Sequence, residues 1–159
     1  EVELDKDGNT DYSDKVLAEF DVVIGAIHSG FRQSKEKVTK RLCKACLNRH
    51  IDIIAHPTGR LWAVREAYEV DFAAFFKAAK DTGTFLEINS FPTRLDLNDI
   101  NARRARESGV RFTISTDSHY TEQLDYMKFG VATARRAWLS KKDVVNTLSL
   151  KELMQVKKK

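Results

Sequence analysis

Four short apolar runs in this chain each close on a polar side chain, and that placement limits the fold more than any other feature. The runs cover residues 21–28, 51–56, 84–89 and 111–117. They end at His28, His56, Asn89 and Asp117, with His119 two residues further on. Each is nearly continuous in Val, Ile, Leu, Phe and Ala, the pattern of strands buried on both faces of a parallel sheet. Amphipathic stretches lie between them. Ser34 caps a helix running to Asn48, with Val38, Leu42, Cys46 and Leu47 assigned to one face. Asp71 caps a second, whose Phe72, Phe75, Phe76 and Ala79 form a stripe that ends near Gly83. Asn98 opens a third, through Arg106 to Gly109, and residues 121–138 read as helical with a break at Gly130. Ser140 with Asp143, and Ser149 with Glu152, have the spacing of capping boxes. At the front, residues 1–4 followed by Asp5-Lys6-Asp7-Gly8 read as the tail of one more strand and a turn.

Alternating strands and helices imply a parallel sheet with right-handed crossovers. Four or five such strands make either an open doubly wound sheet or a piece of a barrel. In both, strand C-termini converge on the functional face. The apolar fraction of 42% is too high for a disordered tail, and two prolines exclude proline-rich low complexity. The apolar runs fall far short of the ~20 residues that a membrane span needs. Two cysteines make no disulfide framework, which points to a reducing cytoplasm. Cys43 and Cys46, with His50 close behind, lack the second pair of a zinc site and read as small buried hydrophobes.

The net charge is +4, but Lys157, Lys158 and Lys159 supply most of it, so any contact with a polyanion has to be local. Arg103, Arg104, Arg106 and Arg111 read as a solvated helix face. The strand ends carry the chemistry. Imidazole nitrogens and carboxylate oxygens are ligands of Zn²⁺, Mn²⁺ and Fe²⁺. The expectation is that His28, His56, Asp117 and His119 meet in one cavity. Asp117-x-His119 would place an anion and an imidazole on the same side of an extended segment. Arg60, four residues past His56, has the guanidinium fork to clamp a phosphate, and Arg94 is a second candidate.

These residues resemble the PHP (polymerase and histidinol phosphatase) superfamily, and within it the C-terminal PHP domain of bacterial and archaeal family X DNA polymerases. The resemblance is carried by Glu1-Val-Glu-Leu with Asp7-Gly8, Ala26-Ile-His28-Ser29, His56-Pro57-Thr-Gly59-Arg60, Glu87-Ile-Asn89 and Ser115-Thr-Asp117-Ser-His119. Arg94-Leu-Asp-Leu-Asn98 and residues 129–136 extend it over essentially the whole chain. It implies an α/β fold, a distorted seven-stranded β/α (TIM-like) barrel with parallel strands and flanking helices. It also implies a cluster of up to three divalent ions, Mn²⁺ or Zn²⁺. Carried over by position, Glu1, His28, His56, Asp117 and His119 are metal ligands, Asp117 and His119 act in catalysis, and Arg60 and Arg94 touch substrate.

The implied activity is metal-dependent phosphoester hydrolysis, as a 3′→5′ exonuclease on DNA 3′ ends or abasic sites, with polymerase domains upstream and no membrane partner. The family's opening His-x-His motif is not found in these residues, so residues 1–159 read as a partial PHP domain with the first strands and metal motifs missing, expected to show little nuclease activity alone. Two rivals remain: a stand-alone phosphatase of the histidinol-phosphate type, and a non-catalytic scaffold serving a polymerase.

Overall fold

In a computed structural model that describes residues 1–158, the five strands form one all-parallel sheet in the order of the chain. These are β1 (Val2–Glu3), β2 (Ile24–Ala26), β3 (Ile53–Ile54), β4 (Phe85–Asn89) and β5 (Phe112–Ser115). Val2 pairs with Gly25, Ile24 with Ile53, Ile53 with Phe85 and Leu86 with Phe112. A doubly wound sheet reverses its strand order at a switch point. Here the order never reverses, so same-handed crossovers put successive helices on the same side and the sheet curls. That decides between the two architectures: the sheet is an arc of a TIM-like barrel.

The helices follow their start and stop residues. α1 (Asp14–Leu17) is a single turn that buries Leu17. α2 (Lys35–Leu47) starts where Ser34 Oγ accepts from the Lys37 N–H at 3.4 Å. α3 (Phe72–Thr82) starts where the Asp71 carboxylate accepts from the N–H groups of Ala73 and Ala74, and Gly83 ends it with φ of 72°. Asn98 Oδ1 accepts from the Asn101 N–H at 2.8 Å to open α4 (Asp99–Glu107). Each cap is worth about 1 kcal/mol.

Phe75, Phe76 and Ala79 of α3 are buried, as are Val38, Leu42 and Cys46 of α2. Leu47 is not: one residue past Cys46 turns it about 100° off that face, and it is 72% exposed. Burial pushes the Cys46 thiol up to about 12, which keeps it an inert packing group.

The segment after β5 departs from expectation. Residues Thr121–Tyr126 form a 3₁₀ helix, and α5 (Met127–Arg136) runs through Gly130 without a break. Gly130 marks a close approach: a Cβ there would stand 2.0 Å from Ser90 Oγ and 2.6 Å from Ile114 Cγ2. The glycine lets α5 lie against β4 and β5. Val144 adds a parallel bridge beside Phe112, and α6 (Leu150–Val156) follows a Ser149–Glu152 capping box. No helix among the described residues is long and apolar enough to cross a membrane.

Candidate metal centre

Side chains two apart on a strand share a face, and this brings Glu1 and Glu3 to opposite ring nitrogens of His28. Glu1 Oε1 lies 2.9 Å from His28 Nε2, and Glu3 Oε2 lies 2.9 Å from His28 Nδ1. Glu3 Oε2 also accepts the His28 backbone N–H at 2.9 Å, while its other oxygen accepts from Ser29 Oγ at 2.6 Å. Arg41 Nη2 stands 3.5 Å from that second oxygen. Glu3 is therefore consumed in orienting His28, and Glu1 holds the outward-facing Nε2. An imidazole fixed at Nδ1 by a carboxylate is the arrangement that aims Nε2 at a metal.

His56 follows β3 and completes the group. It is 1% exposed, its ring centroid lies 5.3 Å from that of His28, and its Nε2 is 3.7 Å from Glu1 Oε1. Neither ring nitrogen has a hydrogen-bond partner. An unpartnered buried imidazole costs free energy unless something ligates it. Its backbone is also constrained: φ of 28° is left-handed, and its N–H donates to Glu87 Oε2 at 2.5 Å. One ligand atom from each of Glu1, His28 and His56 lies within 4.8 Å of the others. Ligands around a tetrahedral zinc at about 2.0 Å stand ~3.3 Å apart, so side-chain shifts alone would close the three onto one ion. The donor set fits a divalent metal.

The electrostatics agree with that fit. Burial works to raise the Glu1 carboxyl, but the His28 and His56 imidazoles outweigh it and hold it well below the carboxylate range. His28 is raised, first by its contact with Glu1, against burial and with help from Glu3. One carboxylate, that of Glu1, thus sits where two imidazoles converge.

Asp117 and His119 lie outside this three-residue group. β5 ends at Ser115, and Asp117 is left-handed with φ of 53°, so the segment is not extended as its spacing suggested. Asp117 Oδ2 pairs with Arg94 Nε at 3.0 Å and accepts from Asn89 Nδ2 at 3.1 Å. The same Asn89 amide reaches Glu87 Oε2 at 3.2 Å, so a buried polar chain links Asp117 through Asn89 and Glu87 to the His56 backbone. Burial raises the Glu87 carboxyl, opposed by His56 and by the Ser115 hydroxyl that donates to it. His119 is exposed, with Nδ1 2.9 Å from the carbonyl oxygen of Asp117 and its own N–H donating to Gln123 Oε1. His28 and His119 are both anchored at Nδ1, but the Nε2 of His28 meets Glu1 at 2.9 Å.

Arg60 spends Nε on the Arg94 carbonyl at 2.6 Å and Nη2 on the Leu95 carbonyl, and its guanidinium lies 5.0 Å from the centre of the Trp62 ring. It fixes the loop that carries Arg94. Arg94 Nη1 is buried without a partner beside Asp117. Sequence reasoning named Ser29, Glu87 and Asn89 without roles and passed over Arg41. Only the one-residue alternation at Glu1 and Glu3 was a usable signal for the orienting carboxylate.

No protein-family model matches the chain. Curated relatives do. It is 48% identical over 153 residues to the DNA polymerase/3′-5′ exonuclease PolX of Bacillus subtilis, covering 96% of this chain and 27% of that protein. It is 29% identical to a probable phosphatase of Thermoanaerobacter sp. strain X514, covering 98% of this chain and 66% of the relative. A probable phosphatase of Caldanaerobacter subterraneus is 34% identical, over 73% of this chain and 47% of its own length. The chain thus spans about a quarter of the polymerase and at most two thirds of these phosphatases.

Proposed function

Since this chain resembles the C-terminal PHP domain of the bacterial family X DNA polymerases, we propose that it works as a metal-dependent phosphoesterase module that trims DNA 3′ ends. The observation that carries the reading is the convergence of Glu1 Oε1 and the Nε2 atoms of His28 and His56, with His56 buried and otherwise unpartnered.

In this reading Glu1, His28 and His56 hold one divalent ion, Mn²⁺ or Zn²⁺, and Asp117 and His119 contribute to the rest of a cluster of up to three. When bound, such ions lower the pKa of water to near neutrality and neutralise charge on a phosphoryl group. The chain's own residues do the positioning. Glu3 fixes the ring of His28, and the carbonyl of Asp117 fixes that of His119. Arg94 holds Asp117 through Nε at 3.0 Å and remains the phosphate-contact candidate of this loop. Arg60 braces that loop from behind rather than serving as the first phosphate contact.

The experiment is a comparison of substrates in the natural polypeptide that carries these residues. With Mn²⁺ present, single-stranded DNA is shortened from its 3′ end and His28→Gln abolishes the shortening. Turnover of histidinol phosphate without any action on DNA would favour the stand-alone phosphatase. Failure on both substrates, with metal bound, would favour the scaffold.

A further inference from the structure

The cations of α2 lie over a groove outside the metal centre, and we propose that this groove is a track for the phosphate backbone of a nucleic-acid strand. This rests on the DNA-directed reading above and gives it a location. The groove has a volume of about 690 Å³ and is lined by Lys6, Gln33, Lys37, Lys40, Arg41 and Lys44, among others. Lys37, Lys40, Arg41 and Lys44 recur at the spacing of one helical face. α2 carries Lys35, Lys37, Lys40, Arg41 and Lys44 against the single acid Glu36. Its formal charge therefore equals the +4 of the entire chain.

Like charges at this spacing destabilise a helix. Arg41 is offset by Glu3 at 3.5 Å and Asp7 also lines the groove, but no lysine of α2 is in an ion pair among the described residues. Among the described residues the lysines in ion pairs are Lys77 and Lys157, neither of them here. Lys44 Nζ reaches only the neutral Asn9 Oδ1, at 2.7 Å. The cations of α4 behave otherwise: Arg103 pairs with Glu107 at 3.1 Å and Arg106 with Asp143 at 3.3 Å. The positive potential at α2 is thus left for something outside the fold.

The groove is built, not a chance row of lysines. Its far wall is the turn after β1, where Asp5 accepts from the N–H groups of Asp7 and Asn9. Gly8, with φ of 81°, presses against α2 so closely that a Cβ would meet the Arg41 carbonyl oxygen at 2.6 Å. Arg41, also lining the groove, is 1% exposed, and its Nε has no partner. The other end of Arg41 approaches Glu3, which orients His28, so the groove is joined to the metal centre through two side chains. The two walls are the segments that follow β1 and β2, neighbouring parallel strands of the sheet. Several lysines spread along one groove suit the repeated charge of a polyphosphate backbone rather than one small anion.

Binding of a fluorescein-labelled single-stranded oligonucleotide to the chain, followed by anisotropy in EDTA across a range of salt, tests this. The triple substitution Lys6→Gln, Lys37→Gln, Lys40→Gln is expected to weaken binding at least tenfold and make the log–log salt slope shallower by about 2, at roughly 0.7 per lost phosphate contact. Arg103→Gln with Arg104→Gln on α4 leaves both unchanged. Equal binding by the triple variant and the parent overturns the proposal. So does preference for anionic phospholipid vesicles or inorganic phosphate over the oligonucleotide. Because EDTA removes the metal, this result stands apart from hydrolysis, which is measured in the natural polypeptide. Binding that survives His28→Gln while hydrolysis is lost supports both readings, and binding by a natural polypeptide that hydrolyses no DNA in Mn²⁺ supports the track while overturning the exonuclease.

Discussion

The two sides of the candidate site are built differently. On the β1–β3 side, Glu1, His28 and His56 come together with ligand atoms inside 4.8 Å, and one imidazole is buried without a partner. On the β5 side, Asp117 is already tied to Arg94 and Asn89, and His119 stands exposed on its own backbone anchor. The first side is short of a cation; the second has a guanidinium in that role. The difference teaches that ligand-type residues at strand ends are not equivalent. A carboxylate neutralised by Arg94 can wait for a substrate or a further ion, whereas His56 has nothing else to satisfy it.

That contrast breaks most readily at the histidines. His28→Gln or His56→Ala should weaken binding of the first Zn²⁺ by more than about 100-fold in a calorimetric titration, since removal of a ligand exceeds the effect of its orienting partner. Glu3→Gln should cost about 10- to 100-fold in the same titration, because His28 loses the group that fixes its ring. Gly130→Ala tests the β5 side through packing. The added methyl meets Ser90 and Ile114, and overpacking of about 1–3 kcal/mol should outweigh the ~1 kcal/mol helix advantage of alanine. Urea denaturation should show that loss, with affinity for the first ion unchanged. Asp117→Asn should alter that affinity by less than about threefold, on the order of 0.6 kcal/mol. A large effect would mean that the two sides close on a single ion.

Much of the fold was legible because local signals agree with it. Ser34, Asp71, Asn98 and Gly83 mark helix ends in the sequence and act as caps in the structure. The choice between an open sheet and a barrel was not legible, since it depends on strand order, which no local pattern encodes. Gly130 was read as a breaker because its sequence context says nothing of Ser90 approaching it. Leu47 was assigned to the apolar face on residue type although its angular position disagrees. In the site, His28 and His56 were visible as polar ends of apolar runs. Asp117-x-His119 was visible too, but its left-handed turn was not. Arg41 escaped notice because a cation in a lysine-rich helix looks solvated, and only the fold shows it buried against Glu3.

The claim beneath all of this is that Glu1, His28 and His56 grip one ion together. Zinc K-edge X-ray absorption on the chain loaded with one equivalent of Zn²⁺ reads the ligands directly. The account predicts two imidazoles and at least one oxygen at about 2.0–2.1 Å, falling to one imidazole in His28→Gln. A first shell without imidazole, or one that His28→Gln leaves untouched, would contradict it.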